Sequence, residues 1–150
     1  MDPMVWNDRQ SVGNEALDEE HRAYFAWMNE LRRVMLARGQ HDEMHSILLK
    51  MRSSMLQHMT NEETIMELCG YPGIVNHRRQ HKSFLADLDG ILSRLESGHA
   101  IITFDHIGGL SEWLMRHVVE EDKRYVPFLT GMTTGQPSPA PSAKEQRWTT

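Results

Sequence analysis

Six side chains that can bind a metal ion stand where a helical chain would otherwise bury hydrocarbon: His21, His58, Glu62, His77, His81 and His117. Residues four apart on a helix lie about 5–6 Å from one another at Cβ. His77 and His81 can therefore grip one ion from a single helix face, and His58 and Glu62 can present a nitrogen and an oxygen side by side. One buried histidine is ordinarily satisfied by a neighbouring backbone group. Five, drawn from four separate segments, are different, because each costs roughly 1–3 kcal/mol to bury without a partner. A shared cation is the economical answer. Six protein ligands exceed the four that zinc usually takes, so two ions joined by bridging groups fit better. Glu62 is one candidate bridge, and the acidic run Glu120-Glu121-Asp122 after His117 offers another. The heptad turns Glu121 inward, four residues after His117. Asp122 lies about 140° around an ideal helix from His117, so only a widened turn or a loosened helix end would bring it to the same centre. Spacing alone favours Glu121.

The elements that must carry these groups show a common period. Leu17, His21, Tyr24, Met28, Leu31 and Met35 alternate at spacings of three and four. So do Met44, Leu48, Met51, Met55, His58, Glu62 and Ile65; Ile74, His77, His81, Phe84, Leu88, Ile91 and Leu95; and Ile107, Leu110, Leu114 and His117. This is the seam of a bundle helix, and it occurs four times. Gly39, the run Gly70-Tyr71-Pro72-Gly73, and Gly98 punctuate the segments. Asp105 is the expected cap of the fourth helix, and Pro127 limits its far end. Short connections between long helices imply antiparallel neighbours. The expected fold is an all-α, up-down four-helix bundle over residues 1–131. It begins with a non-helical arm of about 16 residues, with Trp6 and Val12 packing on the helices. Residues 132–150, Pro/Ser-rich around Gln136-Pro137-Ser138-Pro139, are expected to be a disordered tail.

Other histidines do not join the seam. His41 and His45 lack the Glu of a zinc-protease helix motif and are read as solvated surface at a helix start. His99 and His106 fall in or beside the third connection and are read the same way. Cys69, the single cysteine, is read as a small packing residue. It excludes an intramolecular disulfide and sets a reducing cytoplasm as the default compartment. At 150 residues the chain is long enough for one real core, and its net charge of -5 argues against a nucleic-acid surface or a polybasic membrane anchor. Its first residues hold no apolar run that would serve as a signal peptide or membrane span.

With these residues in place, the chain resembles the hemerythrins, in particular the single-domain bacterial ones. The likeness lies in Asp18-Glu19-Glu20-His21, His58-Met59-Thr60-Asn61-Glu62-Glu63, Tyr71-Pro72 followed by His77-Arg78-Arg79-Gln80-His81, and Trp113-Leu114 with His117-Val118-Val119-Glu120-Glu121-Asp122. It spans about residues 4–130. The resemblance implies two iron ions (Fe2+/Fe3+). His77, His81 and His117 would hold one, and His21 and His58 the other, which keeps a vacant position. Glu62 and Asp122 would bridge them with a solvent-derived oxo or hydroxo group, so the resemblance prefers Asp122 over Glu121. It also implies reversible binding of molecular oxygen, each ferrous ion giving one electron, in a carrier or store that delivers to an oxygen-consuming enzyme. An oxygen or redox sensor acting through the arm or tail is the alternative; an enzyme ranks last. A monomer is the expected state. Large apolar residues a turn from the ligands, Phe25, Met55, Trp113 and Leu114, are the expected walls of the oxygen pocket, Trp113 foremost.

Overall fold

The computed structural model describes residues 2–38, 41–98 and 102–129. The expected tail, Gly39 and His99 lie outside them. Four long helices carry the chain: α1 (Glu15–Leu36), α2 (His41–Leu68), α3 (Ile74–Glu96) and α4 (Phe104–Arg116). No strand occurs among the described residues. α1 packs on α2 and α4, and α3 packs on α2 and α4, the ring of contacts of an up-down bundle. No described helix is long and apolar enough to cross a membrane.

Local chemistry sets the ends. Asn14 caps α1, its Oδ1 accepting from the amides of Ala16 (3.1 Å) and Leu17 (3.3 Å). At the end of α2, Gly70 takes φ +69° and the Tyr71 amide reaches back to the Met66 carbonyl at 2.9 Å. That left-handed turn needs a residue without Cβ strain, and it satisfies carbonyls the helix leaves open. Arg38 takes the left-handed conformation after α1, with φ 52°. The cap of the fourth helix lies two residues before the expected one. Thr103 is its N-cap, and its amide donates to His106 Nδ1 at 3.1 Å. Asp105 sits in the first turn instead. A short-range imidazole acceptor three residues on thus replaces the carboxylate, which also accounts for His106.

α4 does not continue as an α-helix to Pro127. His117–Glu121 forms a π turn and Asp122–Arg124 a 3₁₀ turn. The arm is non-helical except for one 3₁₀ turn, Asp8–Gln10, capped by Asn7. It is pinned at both ends. Asn29 accepts from the Met4 amide and donates to the Met4 carbonyl, both at 2.8 Å. Asp18 accepts from the Ser11 hydroxyl at 2.6 Å and the Val12 amide at 2.8 Å. Val12 is buried, and Trp6 packs against the larger core cluster.

That cluster gathers side chains from all four helices, among them Met28, Met51, Phe84, Leu95 and Ile107. A second, smaller one holds Val12, Leu17, Met66 and Tyr125. Between the two lies a layer of buried polar side chains. Along α1 the order is Leu17, His21, Met28; along α2 it is Met55, His58, Glu62, Met66. The apolar clusters hold the helices, and the layer between them is the candidate site.

Candidate metal centre

α1 brings in His21, α2 His58 and Glu62, α3 His77 and His81, and the end of α4 His117 and Asp122. All seven are buried, with Glu62 and Asp122 fully inaccessible. Their donor atoms form two overlapping groups. One is Glu62, His77, His81, His117 and Asp122; the other is His21, His58 and Glu62. The five Nε2 atoms point inward. His21 and His58 are 3.2 Å apart there, His81 and His117 3.1 Å, and His77 and His117 3.2 Å. Glu62 Oε2 lies 3.1 Å from His77, 3.2 Å from His81 and 3.9 Å from His58. Asp122 divides its oxygens: Oδ1 is 3.1 Å from His117 Nε2, and Oδ2 is 3.4 Å from His21 Nε2.

The π turn decides which acidic residue arrives. The Asp122 amide bonds to the His117 carbonyl, a five-residue repeat that widens the turn. It rotates Asp122 onto the face of His117, where a regular helix would place Glu121. Glu121 is displaced to the flank, accepting from Gln80 Nε2 at 2.9 Å and pairing with Arg124 at 3.1 Å.

Three of the outer ring nitrogens are committed. His58 Nδ1 donates to Glu20 (2.6 Å), His81 Nδ1 to Glu63 (2.8 Å) and His117 Nδ1 to the Gln80 carbonyl oxygen (3.1 Å). Acceptors there place the proton on Nδ1 and leave Nε2 as a bare lone pair. Glu63 is itself held by Arg78 at 2.9 Å. Tyr125, also fully buried, donates from its hydroxyl to Glu62 Oε1 at 2.8 Å. None of these supporting residues was singled out from the sequence. Glu20 and Glu63 each stand beside a ligand on the flank of the seam, where a charge ordinarily means solvated surface. Tyr125 lies beyond the regular helix, where periodicity has no reach.

The electrostatics ask for a cation. Burial pushes His21 down to about 4, with the His58 ring adding to the shift, and burial pushes His117 down to about 2, reinforced by His77 and His81. Both imidazoles are therefore neutral and available as donors. Burial, then the charge on Glu62, holds the Asp122 carboxyl well above its usual range. Burial also works against Glu62, but the His77 and His81 rings set against its Oε2 outweigh it, with His58 adding, and hold that carboxyl low. Neither Asp122 oxygen, nor His21 Nδ1, makes a hydrogen bond among the described residues. Lone pairs facing lone pairs, beside an unsatisfied carboxylate in a dry interior, are a poor arrangement for a metal-free protein and a suitable one for two cations.

A small cavity of about 10 Å³ lies against His21, His58, His81, His117 and Asp122, close to the least volume that holds one water-sized molecule. Of the four expected wall residues, Met55, Trp113 and Leu114 line it, together with Tyr24, Met59 and Val118. Phe25 does not. It turns to the arm and meets the Trp6 ring edge-on, centroids 5.8 Å apart. Tyr24 takes the inward place, its ring 5.3 Å from His58 and its hydroxyl donating to the Ser54 carbonyl at 3.2 Å. Trp113 stacks nearly parallel on His117, centroids 4.3 Å apart at 13°.

His41 and His45 stay out of the centre. They clamp the start of α2 to the end of α3, with His41 Nε2 2.6 Å from the Leu95 carbonyl and His45 Nε2 3.1 Å from Glu96. The Cys69 thiol is buried and donates to the Met66 carbonyl at 3.4 Å; burial pushes its pKa up.

Comparison with known proteins agrees with this arrangement. The family described as hemerythrin HHE cation binding domain matches residues 12–129. Myohemerythrin-1 of Phascolopsis gouldii is 28% identical over 124 residues, 83% of this chain and 92% of the relative. Bacteriohemerythrin of Stenotrophomonas maltophilia (strain R551-3) is 28% identical over 123 residues, 81% of this chain and 78% of the relative. A crystal structure of wild-type hemerythrin superposes with a TM-score of 0.78 at 24% identity, covering 85% of this chain and 98% of that one. At that identity the superposition establishes the shared fold.

Proposed function

The chain belongs to the hemerythrin family, and from that premise we propose that it binds molecular oxygen reversibly at a non-haem centre of two iron ions. The observation that carries the reading is the inward convergence of five Nε2 atoms on two buried carboxylates beside a cavity of one-molecule size. His77, His81 and His117 would hold one ion and His21 and His58 the other. Glu62 and Asp122 would bridge them, with a solvent-derived oxo or hydroxo group as third bridge. Bound iron would supply the electrons and the open coordination position with which dioxygen is held.

The protein's own part is to position, to exclude water and to fix protons. Glu20, Glu63 and Gln80 lock three imidazoles in the tautomer that donates from Nε2. Tyr125 holds Glu62 Oε1, so the orientation of that carboxylate is set before any ion arrives. Met55, Met59, Leu114 and Val118 make an apolar wall that keeps bulk water from the cavity. Five neutral imidazoles and two carboxylates donate less charge than a carboxylate-rich set. That stabilises high-valent metal less and favours binding over bond cleavage. On the cavity wall the Tyr24 hydroxyl is spent on the Ser54 carbonyl, and behind the site Glu20, Glu63 and Tyr125 are each engaged with a ligand, which favours a carrier or store over an enzyme.

Oxygen uptake by the reduced, iron-loaded protein tests this. One dioxygen is expected per two irons, recovered on evacuation. Consumption without recovery would replace the carrier with a catalyst. A sensor is the second reading, favoured by the arm. Lys123, next to Asp122, holds the Ser11 carbonyl, and Asp18, one turn before His21, holds Ser11 and Val12. A change at the centre could thus loosen the arm. Protease sensitivity of residues 2–13 that differs between the oxygenated and deoxygenated protein would favour the sensor.

A further inference from the structure

Two methionines on the cavity wall have chemistry that ligand binding does not use. Met55 and Met59, on α2 either side of His58, are 1% and 3% exposed and both border the cavity. Met51 and Met66 on the same helix are equally buried but do not border it. A thioether is a soft nucleophile that peroxides convert to sulfoxide, and exposure ordinarily ranks methionines for this reaction. Here the cavity inverts the order, because the oxidant would arise inside the protein.

We propose that Met55 and Met59 are oxygen-atom acceptors, sites at which peroxide in the cavity is reduced and the thioether oxidised to sulfoxide. The inference rests on the oxygen-binding reading for the source of oxidant: dioxygen that takes two electrons and two protons leaves as hydrogen peroxide. A sulfur lone pair attacks one peroxide oxygen, the S–O bond forms and the O–O bond breaks. The departing hydroxide takes the proton of the transferred oxygen and leaves as water. Sulfur loses two electrons and peroxide gains them, so one hydrogen peroxide and one thioether give one sulfoxide and one water. No further reductant is needed. Peroxide that would otherwise remain beside the imidazole ligands is removed at the wall. The added oxygen also places a polar group in a cavity of about 10 Å³, so oxidation fills the space the ligand needs.

The test uses the full-length, iron-loaded protein. One sample is reduced and re-aerated through repeated cycles; another is kept under nitrogen and given hydrogen peroxide. Both are digested and each methionine is scored for one added oxygen by mass spectrometry. Met55 and Met59 are expected to oxidise at least about fivefold faster than Met51 and Met66, and ahead of the half-buried Met44 and Met115. Oxidation ordered by exposure in both samples, with Met55 and Met59 no faster than Met51 and Met66, would overturn the proposal. Selectivity with added peroxide but not with air would support the wall chemistry and count against the oxygen-binding reading instead.

Discussion

Imidazole nitrogens that face one another at 3.1–3.2 Å are arranged for a cation to sit between them. Asp122 is the group for which proton and metal compete. Its carboxyl is held well above the usual range by burial and by the Glu62 charge, so in the metal-free protein it keeps a proton that an ion must displace. Over the range in which Asp122 stays protonated, metal affinity is expected to rise with pH, about tenfold per unit for each proton released. His21 and His117, pushed down to about 4 and about 2, carry no second ring proton near neutrality and add nothing to this competition. Metal dissociation constants measured as a function of pH check the sign; affinity that is flat or falls with pH would contradict it. The supporting carboxylates can be tested singly. Glu63→Gln keeps an acceptor for His81 but removes the charge, and is expected to weaken metal binding about 10-fold or more in a chelator competition. His77→Ala removes a donor outright and is expected to lower the bound iron to one ion or fewer per chain. Unchanged stoichiometry in that variant would refute the ligand assignment.

The π turn at His117–Glu121 is the element on which the centre depends. Asp122→Asn is expected to lose at least one of the two ions, while Glu121→Gln, which alters contacts with Gln80 and Arg124 on the flank, is expected to keep both. Metal analysis of the purified variants separates the two, and the opposite pattern would place the bridge on Glu121. Most of the fold was legible because a three-four alternation of apolar residues is a strong signal in each of the four segments, and the histidines announced themselves by interrupting it. Asp122 was not legible from spacing, since an ideal helix turns it away; the family resemblance preferred it, and a widened turn is what brings it in. Phe25 was misplaced for a related reason. It sits four residues after His21, near the inward face, but the seam itself runs through Tyr24, and Phe25 turns to Trp6 of the arm. Periodicity says nothing about what an extended arm covers. The cap of α4 moved from Asp105 to Thr103 because His106 can accept the cap amide.

For the whole molecule, a polar layer lies between two apolar clusters, and the bundle gains its stability from the clusters while the layer opposes it until metal binds. Metal removal is therefore expected to leave a helical but less stable protein. With free metal about a thousandfold above its dissociation constant, the linkage is about 4 kcal/mol, or roughly 10 °C in Tm for a chain of this size. Thermal unfolding followed by circular dichroism checks this, and an unchanged Tm would mean that the layer is satisfied without ions. The arm closes the His21 side, where the Trp6 ring lies 6.2 Å from His21 and beneath the Arg22 guanidinium, so arm, α1 and the end of α4 share one boundary around the centre. Whether that centre holds oxygen reversibly is the central claim, and the optical spectrum of the iron-loaded protein tests it most directly, taken reduced under nitrogen, then in air, then after purging. The expected result is a charge-transfer band that appears with air and disappears on purging, cycle after cycle. A band that never forms, or a one-way change to a ferric spectrum, would contradict reversible oxygen binding.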